Sequence, residues 1–362
     1  MITYRLLELH ANNFLIGSFG ALYALFPLIL AIPLGHWVNQ FGEGRFVVIG
    51  TACIVLSTLG LMSAHSVAVM VFFVIALGTS QFFCMVGAQA MVGNRSPGGN
   101  YEKYFGYYTF SAAFGQMIGP AIGSAASGSA GLLPKSTSHG FLAAAILAGI
   151  ALIPILPWIA MKPTIAMSAK DSKAGINFRS VMANPGMKVA MFTSLSIASS
   201  IDVLVVFLPV FGKERGMTST SIGTVLVIRA AASMISRFFL GPMTRIIGYQ
   251  RLLLISIGLS AATCFIAAFS RTPLQLSLVI ALAGLALGVG QPMTMAWVSR
   301  RSSEQERSFA ISIRLASNRL GQFGLPVIAG VLAAPLGAPA VFFVLAAFIG
   351  STAPLVKKNL AT

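Results

Sequence analysis

Eleven apolar runs, each close to twenty residues or longer, are the feature that most limits how this chain can fold. About twenty apolar residues in a helix cross the hydrocarbon core of a bilayer. The runs are too long for barrel strands and do not alternate in polarity, so they predict helices. The predicted spans are 14–38, 45–64, 67–92, 103–127, 139–161, 187–211, 218–241, 250–270, 273–298, 305–332 and 336–356.

The composition agrees with a membrane protein and excludes several other classes. Of the 362 residues, 56% are apolar and 9% are charged, whereas about a quarter are charged in a soluble domain. We therefore exclude a soluble enzyme and a disordered chain. The net charge of +16 comes from basic residues in short gaps between the apolar runs, which is typical of helix ends at one membrane face and not of nucleic-acid binding.

The placement of the basic residues predicts the orientation. Most lie in alternate connectors or at the helix ends beside them, at positions such as Arg45, Arg95, Arg237 and Arg251, and the positive-inside rule assigns that side to the cytoplasm. This orientation places the C-terminus in the cytoplasm and Met1 outside.

The three cysteines have no paired spacing, and no metal motif, phosphate loop or nucleophile–base pair is present, so we expect no metal and no cofactor.

A polar connector divides the predicted helices into two groups. The boundaries are a five-helix bundle at 1–161, a cytoplasmic linker at 162–186 and a six-helix bundle at 187–362. The two bundles match at a constant offset of 206 residues, which pairs Gly78 with Gly284 and Gly115-Gln116 with Gly321-Gln322. Two parallel repeats are a transporter architecture. The same offset maps 187–211 to positions before Met1, so the first half is expected to lack its opening helix.

Two glycine motifs resemble those of the major facilitator superfamily of secondary transporters. The loop motif of that family is similar to the segment Gly35-His-Trp-Val-Asn39-Gln-Phe-Gly42-Glu-Gly-Arg45, although Asn39 replaces its aspartate. The resemblance implies a gate loop of Gly35, Asn39, Gly42 and Arg45, with a latch that is weaker or uncharged. The exporter motif of the family is similar to Gly115-Gln-Met-Ile-Gly119-Pro120-Ala-Ile-Gly123, which implies close helix packing.

The resemblance implies an all-α polytopic fold of two bundles, whose eleven helices correspond to the second to twelfth of the family. It also implies a transporter and not an enzyme, which moves a small molecule by alternating access and has the bilayer and a proton as partners. Proton-coupled efflux across the inner membrane by a monomer is the first expectation. Proton-coupled uptake of an organic anion and a non-transporting membrane protein remain as alternatives.

Charged residues within the predicted spans are the candidate site. Asp202, Arg229 and Arg314 lie near mid-depth, where an ionised group is costly unless it is paired. Asp202 is either a proton-coupling or substrate-amine site or one half of a structural pair with Arg229. The arginines outnumber the acid, which favours an anionic substrate. Asn318 shares a helix face with Arg314, whereas Arg319 is rotated by about 140° from it and is expected to face a neighbouring helix or the cytoplasmic cavity.

Four further residues complete the candidate set. Tyr23 and Tyr108 match Arg229 and Arg314 at the offset of 206, so they either line the same cavity or pack as ordinary aromatics. Gln81 and Gln291 are polar groups within predicted helices. They either contact substrate or form hydrogen bonds between helices.

Overall fold

The computed structural model describes residues 33–130, 133–134, 136–161 and 178–360, together with residues 2, 5, 6, 9, 23, 27 and 29–31. Residues 33–41 are helical, and thirteen labelled helices follow within the described ranges. They are α1 Glu43–Met62, α2 Val67–Arg95, α3 Tyr101–Ser127, α4 Thr137–Ile155, α5 Phe178–Ala183, α6 Met187–Glu214, α7 Ser219–Phe238, α8 Leu240–Ile247, α9 Tyr249–Ala267, α10 Pro273–Arg301, α11 Arg307–Leu336, α12 Pro339–Gly350 and α13 Thr352–Leu360.

Helices dominate, as predicted, but the count of eleven spans is not confirmed. Within the described residues, eight helices or helix pairs are long and apolar enough to cross a membrane. The predicted spans 103–127 and 305–332 form α3 and α11, of 27 and 30 residues, and neither is among these eight of the described residues. Most of the predicted span 14–38 lies outside the described residues.

Several predicted runs are divided in the structure. The run 218–241 becomes α7 and α8, separated at Phe239, and the run 336–356 becomes α12 and α13, separated at Ser351. The connector after α3 contains two two-residue strands, Ser129–Ala130 and Leu133–Pro134, which pair antiparallel. In the predicted linker, residues 162–177 lie outside the described ranges, and α5 follows them.

Contacts divide the chain into two compact units. The first comprises 1–95, 114–174 and 311–313, and the second comprises 96–113, 175–310 and 314–362. The second unit therefore includes the start of α3, which precedes the polar connector in sequence. The predicted bundle boundaries at 161 and 187 remain a prediction.

In the first unit, α1 packs against α2 and α4. One of its cores contains Leu6, Leu61, Met70, Val74 and Phe141. Large apolar side chains elsewhere in the unit are exposed, and Phe72 and Ile153 are each 66% exposed. An apolar outer surface is the surface that acyl chains solvate, so it agrees with a membrane-spanning unit.

In the second unit, α10 is the central helix and packs against α6, α7 and α9. Most of its residues from Ala283 to Ser299 are buried. α6 is buried along a face that carries many small hydroxyl side chains, including Ser194, Ser196, Ser199 and Ser200. Small polar residues let neighbouring helices approach closely within a bilayer, so α6 can contribute polar groups to the interior.

The offset of 206 residues recurs as repeated geometry. Gly42 and Gly248 precede α1 and α9, and both have positive φ, at 93° and 84°. A side chain at Gly78 would collide with the carbonyl of Tyr23, and one at Gly284 would collide with the carbonyl of Arg229. The same close helix contact thus occurs once in each half, as a duplicated fold requires.

The end of α6 is joined to the start of α12 by Glu214. Its carboxylate accepts hydrogen bonds from the backbone N–H of Ala338, at 2.9 and 3.1 Å. Because a helix start has unsatisfied N–H groups, we expect Glu214→Ala to lower the free energy of unfolding by about 1 kcal/mol. Thermal unfolding of the purified protein measures this loss. Glu214→Gln keeps an oxygen acceptor and should lose less; an equal loss in both variants would contradict the prediction.

Candidate functional site

Asp202 lies near the middle of α6 and is surrounded by cationic and polar groups from two other helices. It interacts electrostatically with Arg319 of α11 and with Arg229 of α7, and Gln322 of α11 forms a hydrogen bond to it. Arg319 Nη1 in turn donates to Gln322 Oε1 at 3.5 Å. The carboxylate is therefore part of a three-helix polar cluster, which we call the Asp202 cluster.

The Asp202 cluster differs from the sequence prediction in one respect. Arg229 is near Asp202, as the structural-pair interpretation required, but Arg319 and Gln322 also reach this carboxylate. The sequence expected Arg319 to face a neighbouring helix or the cytoplasmic cavity, and it did not name Asp202 as the partner. Rotation within α11 does not show which residue of another helix Arg319 meets. The match of Gln322 to Gln116 at the repeat offset was a signal that could have included Gln322.

A second set of polar residues, which we call the Arg314 cluster, contacts α6 at a different position. Arg314 is 0% exposed, and its Nη1 donates to Ser194 Oγ at 2.9 Å. Ser194 Oγ in turn donates to Asn318 Oδ1 at 3.0 Å. Tyr108 lies close enough to Arg314 to interact with its charge. Arg314, Asn318 and Tyr108 thus come together, as the sequence suggested, and Ser194 is an additional member.

The two clusters lie at different heights on α6. Ser194 precedes Asp202 by eight residues, which corresponds to about 12 Å along a helix. The sequence placed Asp202, Arg229 and Arg314 within several Å of mid-depth. The structure distributes their contacts over two layers, with the acid in one layer and Arg314 in the other.

Gln291 of α10 contacts a cation that the sequence did not include in the site. Arg237 Nη2 donates to Gln291 Oε1 at 2.9 Å, and Arg237 Nη1 donates to the carbonyl of Thr109 at 3.1 Å. Arg237 is only 8% exposed. Positive-inside counting placed Arg237 on the cytoplasmic side without assigning it a partner, and the structure shows that its side chain is enclosed by α3, α7 and α10.

The remaining candidates of the first half lie in the first unit. Tyr23 packs against Gly78, and Gln81 is exposed. Their roles in substrate contact remain predictions.

The gate loop contains a buried anionic group, Glu43, where the family motif has a basic residue. Asn39 is buried, Gly42 adopts positive φ, and Arg45 Nε donates to the carbonyl of Ile159 at 3.1 Å. Glu43 is also buried, and its Oε1 accepts a hydrogen bond from Asn94 Nδ2 at 2.5 Å. Gly35 lies in the helical segment 33–41.

The exporter-type motif lies entirely within α3, which contains Gly115, Gly119, Pro120 and Gly123. Among the described residues, no atom lies within 4 Å of a side chain built at Gly115 or Gly119. The close packing expected at these two glycines is therefore not seen in the described ranges. By contrast, the matching Gly321 packs closely on Leu195 and Ser199.

The described residues contain no group of three or more His, Cys, Asp or Glu that could hold a metal. The polar interior consists of guanidinium, carboxylate, amide and hydroxyl groups. Such groups can bind a charged or hydrogen-bonding molecule and exchange a proton, and together with the apolar exterior they define a multi-pass helical membrane protein of the transporter class.

The family model of the Major Facilitator Superfamily matches residues 1–218 and 190–357. The chain belongs to this superfamily, whose members are transporters and not enzymes. The resemblance inferred from the glycine motifs is thereby confirmed.

Curated relatives are distant. The chain is 21% identical to Multidrug resistance protein 2 of Bacillus subtilis over 326 residues. This alignment covers 90% of this chain and 81% of the relative. It is 23% identical to Multidrug resistance protein MdtG of Yersinia enterocolitica over 268 residues. That alignment covers 72% of this chain and 63% of the relative.

Solved structures support the fold. The E. coli fucose:proton symporter matches with a TM-score of 0.79 at 13% identity, over 96% of this chain and 91% of that one. The human organic anion transporter MFSD10 matches with a TM-score of 0.76 at 14% identity, over 98% and 88% of the two chains. At these identities the likeness shows the fold alone.

Proposed function

We propose that this chain exports a small organic molecule by alternating access, driven by the proton gradient. As a member of its superfamily it is a multi-pass membrane protein and a secondary transporter of a small molecule. The names of the two multidrug resistance relatives support efflux. The observation that carries proton coupling is a carboxylate, Asp202, held among cations and an amide inside a bundle of membrane helices.

Asp202 would perform the coupling through its charge. When ionised, it attracts Arg319 and Arg229 and accepts a hydrogen bond from Gln322. A proton on Asp202 removes that attraction, so the two guanidinium groups need another anion or a rearranged cavity. Proton binding and substrate binding would then compete for the same cations. A shared set of partners is a direct way to exchange a proton for a substrate.

Location and assembly belong to the same proposal. We propose a protein of the inner membrane that acts as a monomer with its C-terminus in the cytoplasm. The last turn of α13 carries Lys357 and Lys358, in agreement with the positive-inside rule.

A second candidate is proton-coupled uptake of an organic anion. The supporting observation is the balance of charge in the Asp202 and Arg314 clusters, where Arg229, Arg314 and Arg319 contribute three positive charges and Asp202 one negative charge. A surplus of cations in these clusters favours a negatively charged substrate.

Transport by vesicles distinguishes these candidates. Protein reconstituted in liposomes would be tested with the anion fluorescein and the cation ethidium, under a pH gradient imposed in either direction. Efflux predicts that a probe accumulates in the compartment from which protons flow out, opposite to proton movement. Anion uptake predicts accumulation of fluorescein in the direction of proton flow. Flux equal to that of empty liposomes in both directions would contradict both and favour a non-transporting protein.

A further inference from the structure

Arg237 is a buried cation whose described partners are neutral. Its two terminal nitrogens donate to a backbone carbonyl, that of Thr109, and to the amide oxygen of Gln291. Its Nε has no hydrogen-bond partner among the described residues. Two neutral acceptors share the hydrogen bonds of a guanidinium but do not neutralise its charge, so a full positive charge remains inside the protein.

The acidic residues of the described ranges have other partners. Glu102 pairs with Arg300, Asp202 interacts with Arg319 and Arg229, and Glu214 binds Ala338 N–H. Glu43 and Glu306 accept hydrogen bonds from Asn94 and Asn184, and Glu304 is exposed. Arg237 therefore has no acidic partner among the described residues.

A neighbouring cation, Arg229, adds to the free-energy cost of burying the charge of Arg237. Arg229 precedes Arg237 by eight residues on α7, about 12 Å along the helix, and the two charges act on each other. Like charges in a low-dielectric interior repel more strongly than in water. Both arginines would be stabilised by the same kind of ligand, one that brings negative charge to α7.

The helices around Arg237 pack closely on the backbone of α7, and hydrogen bonds to α3 and α10 place its guanidinium. A side chain at Gly106 of α3 would come within 2.7 Å of the carbonyl of Arg237. α10 likewise contacts α7 at Gly288, where a side chain would meet Ser233 and Ser236. The guanidinium therefore lies at a fixed meeting point of three helices, and its planar fork presents donors that match a carboxylate or phosphate.

We propose that Arg237 binds an anionic group of the transported molecule, so that the substrate is an organic anion that passes along α7 between Arg237 and Arg229. This inference rests on the proposed transport function and specifies its substrate class. Ligand oxygens would replace Gln291 or the Thr109 carbonyl as acceptors and would supply the negative charge that these two groups lack.

Equilibrium binding to protein in lipid nanodiscs tests the proposal. The probes are three organic anions, fluorescein, citrate and p-aminohippurate, and two organic cations, ethidium and tetraphenylphosphonium. We expect at least one anion to bind more tightly than either cation. For that anion, Arg237→Gln should raise Kd by about tenfold or more, because a charge-assisted hydrogen bond is lost. Arg237→Lys keeps the charge and should raise Kd less.

The control is Arg245→Gln, which removes an exposed arginine from the last turn of α8. It should leave anion affinity unchanged, so a loss in both variants would indicate a general effect of net charge and overturn the proposal. A purely structural Arg237 would give a lower thermal unfolding midpoint in Arg237→Gln and a Kd within about twofold of the unaltered protein. That result, or the absence of anion binding, would also overturn the proposal.

The binding test is separable from the test of transport. It uses no pH gradient and no flux, so anion binding that depends on Arg237 can be observed even where proton-driven transport fails. In that case proton coupling is wrong and the substrate class stands. If ethidium is the only probe that shows proton-driven flux, proton coupling stands and the proposed substrate class is wrong.

Discussion

Asp202→Asn is expected to reduce proton-driven flux to the level of empty liposomes while the protein still folds. The amide has nearly the same shape as the carboxyl group and can still form a hydrogen bond with Gln322, but it cannot take up or release a proton. Arg319 and Arg229 would also lose their shared anion. The measurement is uptake of a transported probe by liposomes with an imposed pH gradient, together with the internal pH.

Exchange of labelled for unlabelled probe provides the internal control. It needs no net proton movement, so Asp202→Asn should retain it, and Asp202→Glu should retain part of the driven flux because it keeps a titratable group. Glu304→Gln is the control, since Glu304 is an exposed carboxylate outside the Asp202 cluster and the gate loop. Proton-driven flux that persists in Asp202→Asn would remove this residue from the coupling mechanism.

The second large effect is expected at the ion pair between Glu102 and Arg300. Arg300 Nη2 lies 2.7 Å and 2.8 Å from the two carboxylate oxygens of Glu102, and its guanidinium stacks on the ring of Tyr249 at 5.0 Å. Burial raises the pKa of the Glu102 carboxyl group, and the charge of Arg300 partly offsets this increase. The pair attaches the start of α3 to α9 and α10 within the second unit.

Removal of the two partners should have unequal effects. Arg300→Ala leaves a buried carboxylate without its cation, and we expect a loss of roughly 2 kcal/mol in the free energy of unfolding. Glu102→Gln removes the buried charge itself, so it should cost less than Arg300→Ala. The double variant should recover part of the loss of Arg300→Ala, with a coupling of about 1 kcal/mol.

Thermal and SDS-induced unfolding of the four proteins measures this cycle, and the pH dependence provides a second check. The pKa of Glu102 is raised in the folded protein, so its protonated form is favoured by folding relative to an ordinary glutamate. The destabilisation in Arg300→Ala should therefore diminish as the pH falls towards and below the ordinary range of a glutamate. Equal losses in both single variants, or a loss that grows on acidification, would contradict this account of the pair.

Helix positions were largely predictable because they depend on local sequence. A run of about twenty apolar residues is sufficient to predict a spanning helix, and eight such spans appear in the described residues. α11 was predicted as a helix too, and it forms a helix of 30 residues. The breaks at Phe239 and Ser351 were missed, because apolar periodicity does not mark a short interruption.

The contacts of the candidate site were less predictable. The sequence indicated Asp202, Arg229 and Arg314 as unusual charges at depth, and it placed Asn318 on the helix face of Arg314, while the role of Tyr108 stayed open. It did not identify Arg319, Gln322 or Ser194 as their partners, and it did not include Arg237 in the site. Each of these omissions concerns contact between helices far apart in sequence, such as α6 with α11 or α7 with α3.

By itself, the sequence determined that this protein crosses a membrane, that its two halves repeat at 206 residues and that a few charges lie at depth. Apolar run length, glycine spacing and charge position are properties of the linear chain, and the bilayer translates them directly into helices. Only the tertiary structure decided which charge meets which partner. The rotation of each helix about its axis is set by close packing at residues such as Gly106 and Gly284, and that packing depends on neighbours brought together by the fold.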